Sequence, residues 1–175
     1  MRRHADIEIL QSQRLHRGLV FDLIRESIRL PSGLRQELDV VDHPGAVCVA
    51  PVLPSGELLL VRQYRHAAGD WLVEIPAGRL EGDDTDRLAA AQRELEEETG
   101  HRAGSWEARL EFFPAPGFCS ERMTLFVARE LEAIPGGGRE CDADEELDLV
   151  RLSPAEVLAG RGADAKTLLA AALLA

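Results

Sequence analysis

Apolar and polar positions change period several times along this chain, and each change marks an element. Leu34, Leu38 and Val40 alternate with Arg35, Glu37 and Asp39, the twofold period of a strand, and Pro31-Ser32-Gly33 supplies a turn ahead of them. Before the turn, Ile24, Ile28 and Leu30 predict an opposing strand, so residues 7–42 read as a small antiparallel unit. Such a unit is marginal by itself and must lean on the main domain or on a second subunit. After His43-Pro44-Gly45, residues 46–53 are apolar throughout, as in a central strand covered on both faces. Pro54-Ser55-Gly56 turns the chain into a returning strand at 57–65, and further strands are predicted at 106–113, 124–128 and 147–152. Ser153-Pro154-Ala155-Glu156 opens a helix with a cap and a proline at its first position, and 163–174 reads as a closing helix.

Between Glu74 and Gly100 the period becomes helical. Pro76-Ala77-Gly78 predicts a bend, and Glu81 to Asp86 an acidic turn. Thr85 or Asp86 can cap a helix in which Leu88, Ala91 and Leu95 share an apolar face, and Gly100 supplies a left-handed stop. In its last two turns Glu94, Glu97 and Glu98 fall on one face. Like charges at that spacing cost about 0.2–0.5 kcal/mol per pair, and carboxylates near a helix C-terminus oppose the macrodipole. Folding gains nothing from this, whereas a hard cation such as Mg²⁺ seeks such oxygens.

Gly78, then Arg93-Glu94-Leu95, Glu97-Glu98 and Gly100, resembles the Nudix box. Two departures stand out. The box usually places its Arg fourteen residues after the first Gly, whereas Arg93 lies fifteen after Gly78, an insertion of one residue. The intervening Glu, which in the family mainly pairs with the box Arg, is then replaced by Asp84 or Thr85, and His101 stands where an aliphatic residue is usual. No metal ligand is lost. Arg-Gln-Tyr-Arg ending at Arg65, the following Glu74-Ile75-Pro76-Ala77-Gly78, and Pro116-Gly117 sixteen residues beyond Gly100 are similar to the ADP-ribose pyrophosphatase branch of the family.

Composition narrows the picture. At 175 residues and 45% apolar content the chain suits one main domain with a core. A net charge of −11 argues against nucleic acid as a partner, since there is no basic excess to release counterions, and an anionic substrate needs a local cation or clustered Arg. Of the 20 basic residues all but Lys166 are Arg. Cys48, Cys119 and Cys141 are odd in number and lack metal spacing, so they read as free thiols. No secretory signal is visible near the N-terminus, and the apolar tail from Leu168 is too short to span a membrane, so no membrane partner and a cytoplasmic location are the expectation.

The Nudix resemblance implies an α/β fold, an α/β/α sandwich on a mixed sheet over 43–175. Residues 1–42 form the preceding antiparallel strand unit, exchanged between the subunits of a homodimer. It implies hydrolysis of ADP-ribose to AMP and ribose 5-phosphate with Mg²⁺, or Mn²⁺ as the alternative. Glu94, Glu97, Glu98 and the main-chain carbonyl of Ala77 are the implied ligands, with Arg93 holding the glutamates. Arg65, Glu74 and Glu81 are candidates for substrate contact, with Gly117 and Glu121 near the terminal ribose. The acidic run from Glu140 to Asp148 resembles the loop that brings in a base, either Glu145 or Glu146. Phe21 and Val20 are both open as the residue that holds the adenine, and Arg62 is equally consistent with a solvated edge arginine. A sugar nucleotide or other nucleoside diphosphate compound as substrate, and a nucleotide-sensing domain without catalysis, are the competing readings.

Overall fold

Strands dominate this computed structural model, which describes residues 4–81, 86–136, 147–161 and 164–175. The chain divides into two compact units, Met1–Gly45 with Phe112–Met123, and Ala46–Glu111 with Thr124–Ala175.

In the first unit, β1 (Glu8–Arg17), β2 (Asp22–Arg29) and β3 (Arg35–Asp42) form an antiparallel sheet in chain order. The predicted turn is present: the Gly33 N–H donates to the Leu30 carbonyl at 2.8 Å, and Gly33 takes φ 86°, which favours glycine. Register is marked by directly opposed ion pairs, Glu8 with Arg29 at 2.6 Å and Arg25 with Asp39 at 2.7 Å. Exposed pairs of this kind contribute only about 0–1 kcal/mol each, so they select register more than they stabilise. Ile28 and Glu26 are buried on β2, but Leu34 and Leu38 are 57% and 38% exposed. The segment Phe112–Met123 joins this unit through β3, with Val41 N–H donating to the Phe118 carbonyl and Ser120 N–H to that of Val41.

The second unit is built on β4 (Ala46–Pro51), buried at every position. It lies in a four-stranded sheet of order β7-β4-β9-β8, where β7 is Ala77–Arg79, β8 His101–Phe112 and β9 Met123–Ala133. A second sheet has the order β10-β5-β6, from Asp148–Leu152, Leu58–Arg65 and Asp70–Glu74. Helix α1 (Arg87–Thr99) sets Ala90, Ala91 and Leu95 against Val47 and Val49 of β4 and Phe126 and Ala128 of β9. Side chains alternate along a strand, so Cys48 and Ala50 point to the other face of β4, which the closing helix α3 (Ala165–Leu174) covers. The α/β/α arrangement on a mixed sheet is the one expected. Leu95 is fully buried in this cluster, and Leu95→Ala is expected to cost about 2–5 kcal/mol in urea denaturation.

Several boundaries differ from the sequence reading. Ala77 and Gly78 are strand rather than bend, because Val47 and Cys48 need pairing partners on that edge of β4 and take Gly78 and Ala77. Leu88 is 37% exposed, so the apolar stripe of α1 begins a turn later. Strand β8 starts at His101, immediately after the left-handed Gly100 (φ 67°) reverses the chain. Strand β6 was not anticipated. The helix opened by Ser153 has its capping box, yet α2 (Pro154–Glu156) lasts only three residues before a wider turn, Val157–Arg161, that contains Gly160 at φ 94°.

Candidate active site

Helix α1 delivers the acidic face to a fixed place because both of its ends are determined. Asp86 accepts from the N–H groups of Leu88 and Ala89, and Gly100 N–H caps the C-terminus on the Glu96 carbonyl. The Arg93 guanidinium bridges two carboxylates, with Nη2 2.6 Å from Glu94 Oε1 and Nη1 donating to Glu97 Oε2 at 2.8 Å. Burial alone would lower the Arg93 pKa, but the Glu94 charge and the Glu97 hydrogen bond more than offset it, and the group is raised. Glu98, one turn beyond Glu94, accepts the Ala77 N–H at 3.3 Å. A Cβ on Gly78 would lie 2.0–2.3 Å from the Glu94 carboxylate, so only glycine lets that group reach the β7 backbone. Glu94 and Glu98 thus meet neighbouring residues of β7, Gly78 and Ala77. Among the described residues no three acidic, imidazole or thiol groups close around one point, since Arg93 gathers two of the carboxylates itself. The donors are all carboxylate or backbone oxygens, one positive centre already bridges two of them, and this chemistry fits a hard divalent cation.

At the end of β6 a second charged group is held more tightly. Glu74 is 2% exposed. Arg65, the last residue of β5, donates Nε to Glu74 Oε1 and Nη2 to Oε2, both at 2.9 Å, the planar fork geometry of guanidinium on carboxylate. Lys166, in the first turn of α3, donates Nζ to Glu74 Oε2 and to Asp164, which itself caps α3 by accepting the Thr167 N–H at 2.7 Å. Thr167 Oγ1 in turn accepts the N–H of Ile75 at 2.9 Å. Burial pushes the Glu74 carboxyl up, but the Arg65 hydrogen bonds and the Lys166 charge outweigh it and hold the group at about 2, against an ordinary 4.5.

A carboxyl lowered on folding stabilises the fold above its ordinary pKa and loses that contribution as pH falls. The stability difference between wild type and Glu74→Gln is therefore expected to be full at pH 7 and to shrink between about pH 4.5 and pH 2. Lys166, lowered by burial but raised overall by Asp164 and Glu74, holds its contribution below pH 10.5, so no loss is expected between neutrality and that point. Urea midpoints of both proteins across this range check it, and a difference independent of pH would refute the assignment.

The first unit carries a groove of about 360 Å³ lined by residues 18–22 and 42–44. The tight β1–β2 turn lines it, where Gly18 N–H donates to the Phe21 carbonyl at 2.9 Å and a Cβ on Gly18 would meet that oxygen at 2.4 Å. Val20 and Phe21 remain 47% and 44% exposed. Of its other lining residues, His43 donates its N–H to Ser120 Oγ, and His43 Nδ1 lies 3.8 Å from Glu121.

The second unit thus holds a glutamate-bearing helix pinned to β7 and, at the end of β5 in its other sheet, an arginine forked onto a buried carboxylate. The sequence profile of the NUDIX domain matches residues 42–172. This chain belongs to the Nudix family. It is 36% identical over 149 residues to the ADP-ribose pyrophosphatase of Bacillus subtilis (strain 168), spanning 85% of this chain and 80% of that protein. It is equally 36% identical over 149 residues, with the same 85% and 80% shares, to the methanol dehydrogenase activator of Bacillus methanolicus. Among solved structures, the crystal structure of an ADP compounds hydrolase superposes with a TM-score of 0.82 at 22% identity, covering 99% of this chain and 95% of that one, which establishes the Nudix fold.

The Nudix box runs from β7 through α1, and α1 is one unbroken helix, so Arg93 to Glu98 keep their helical register despite the extra residue. Arg65, Glu74, Ala77, Arg93, Glu94, Glu97 and Glu98 all belong to the second unit, and Glu81, exposed, adds to the field on Arg93. Gly117 and Glu121 belong to the first unit, as do Val20 and Phe21. Glu145 and Glu146, Asp84 and Thr85, and Cys141 lie outside the described residues. Neither Cys48 nor Cys119 is in a disulfide, and Arg62 stands on the central strand of the β10-β5-β6 sheet, paired with Asp148 at 3.2 Å and stacked 4.4 Å over Trp71. Lys166 and Asp164 escaped the sequence reading. The one available signal was that Lys166 is the lone lysine of an arginine-rich Nudix chain.

Proposed function

We propose that this protein hydrolyses the pyrophosphate bond of ADP-ribose to AMP and ribose 5-phosphate in the presence of Mg²⁺, with Mn²⁺ as the alternative. The observation that carries this reading is the pair Glu94 and Glu98, both brought against the Ala77–Gly78 backbone in the unit that holds the Arg65 fork. Glu94, Glu97, Glu98 and the Ala77 carbonyl would hold the metal, and Arg93 keeps the glutamates in place. When bound, Mg²⁺ neutralises the diphosphate and lowers the pKa of a water. In the reaction the oxygen of water bonds to phosphorus and gives up a proton, and the bridging P–O bond of the anhydride breaks, leaving its electron pair on the oxygen of the departing phosphate. Glu145, or failing it Glu146, takes the proton as general base. The Arg65 edge not used by Glu74 binds phosphate oxygens, while Glu74, both of whose oxygens are engaged, orients Arg65. Phe21 and Val20, which line the groove at 18–22 and 42–44, are the candidates to hold the adenine, and Gly117 and Glu121 the candidates for contact with the terminal ribose.

A homodimer is part of the proposal. Leu15, Val20, Phe21, Leu34 and Leu38 of the N-terminal unit are all at least 38% exposed, an apolar surface that a second subunit would cover. Among the described residues no helix is long and apolar enough to cross a membrane; a cytoplasmic location is part of the proposal.

The test is a panel of ADP-ribose, sugar nucleotides, NADH and nucleoside triphosphates, incubated with Mg²⁺ or Mn²⁺ and followed by phosphate release after phosphatase coupling. A clear preference for ADP-ribose is expected. Preference for a sugar nucleotide would keep the chemistry and discard the substrate, and silence across the panel would favour a nucleotide-sensing role. Glu145→Gln is expected to lower kcat by about a hundredfold with KM nearly unchanged, and if Glu146→Gln does this instead, the base is Glu146.

A further inference from the structure

Lys166 has no part in the family resemblance, yet it is placed with care. Its side chain is 12% exposed, in the first turn of a helix whose cap, Asp164, is also one of its two carboxylate partners. The other partner is Glu74, from a strand 92 residues earlier. Lysine on a helix N-terminus opposes the macrodipole, so helix stability does not explain it. Nor does the core: an apolar residue of similar length would fill the space without a buried charge to desolvate.

Glu74 explains it. Arg65 uses two of its N–H groups on Glu74, and its side chain is 40% exposed, the only strongly exposed member of the trio, since Glu74 and Lys166 are 2% and 12% exposed. The guanidinium lies close enough to Glu98 for that carboxylate to raise its pKa, behind the larger effects of Glu74. It is therefore the exposed end of a chain of paired charges, Lys166 to Glu74 to Arg65, in the same unit as the Nudix glutamates. Arg65 can swing about several bonds, and its two hydrogen bonds to the Glu74 carboxylate set its plane. A carboxylate held from one side can rotate; one held from two sides cannot.

We propose that Lys166 is a positioning residue for substrate binding, holding the Glu74 carboxylate so that the Arg65 guanidinium meets the diphosphate of the substrate in a fixed orientation. This rests on the ADP-ribose reading above. Lys166 touches no reacting atom, and its effect passes entirely through Arg65.

The test compares Lys166→Met, Lys166→Arg, Arg65→Ala and the Lys166→Met/Arg65→Ala double variant, after circular dichroism has established which are folded. Two readouts are taken: KM and kcat for ADP-ribose with Mg²⁺, and calorimetric affinity for ADP-ribose with Ca²⁺ in place of Mg²⁺. Lys166→Met is expected to raise KM and weaken binding by about tenfold, the value of one well-made charged hydrogen bond, while leaving the Mg²⁺ concentration for half-maximal activity unchanged. Lys166→Arg is expected to restore most of the affinity. In the Arg65→Ala background the Lys166→Met change is expected to have no further effect. A folded Lys166→Met with wild-type affinity, or a loss of affinity that persists undiminished in the Arg65→Ala background, overturns the inference. If Lys166→Met does not fold, Lys166→Arg decides: affinity near that of wild type supports the inference, and affinity as low as that of Arg65→Ala overturns it. A wild type that binds ADP-ribose without hydrolysing it overturns the hydrolase reading alone, and one that neither binds nor hydrolyses overturns both.

Discussion

Glu98→Gln is expected to lower kcat/KM for ADP-ribose by about a thousandfold, the scale of several kcal/mol of transition-state charge stabilisation, with the fold intact. The amide keeps an oxygen of the same reach, so the 3.3 Å contact with the Ala77 N–H can persist and α1 need not move. What it loses is the negative charge on the helix face that meets β7. Glu98 is only 7% exposed, so a neutral amide there removes a buried charge rather than adding one, and the melting temperature is expected to hold or rise. Steady-state kinetics with Mg²⁺ and a thermal melt of the same sample check both halves. Near-normal turnover would remove Glu98 from the metal site, and a collapsed melt would make it a structural residue.

Gly78→Ala is the second large effect. The added Cβ would fall 2.0–2.3 Å from three atoms of the Glu94 carboxylate, far inside contact distance. Gly78 is paired in register with Val47, so the strand has little freedom to retreat, and the carboxylate must turn away. The overpacking is expected to cost about 1–3 kcal/mol of stability. Activity is expected to fall more than a hundredfold, by the logic that a displaced ligand costs several kcal/mol at a metal site, and the Mg²⁺ requirement is expected to rise. Magnesium titration of the activity reads this directly. An unchanged Mg²⁺ midpoint would mean that Glu94 does not act from the position seen against β7.

The two substitutions fail for different reasons, and the difference separates what was local from what was not. Glu98 could be named from spacing alone, because positions three and four apart on a helix must share a face, and Asp86 and Gly100 announce where that helix begins and ends. The strand character of Ala77 and Gly78 could not: Pro76-Ala77-Gly78 looks like a bend by composition, and only the demand of β4 for a partner makes it β7. In the same way Leu34 and Leu38 alternate as core residues do, yet alternation reports a face and not what covers it, and they are exposed.

The sequence by itself determined the box helix, its caps, the shared face of Glu94, Glu97 and Glu98, the central strand β4 and the Nudix family, since each depends on neighbours within a few residues or on a fixed local spacing. The tertiary structure alone decided that Lys166 meets Glu74, that Gly78 is the seat of the Glu94 carboxylate, and that residues 18–22 and 42–44 share one groove. Those contacts join segments whose separation along the chain is arbitrary. Only the packing of strands and helices brings their side chains within a few ångströms, and no periodicity in the chain records it.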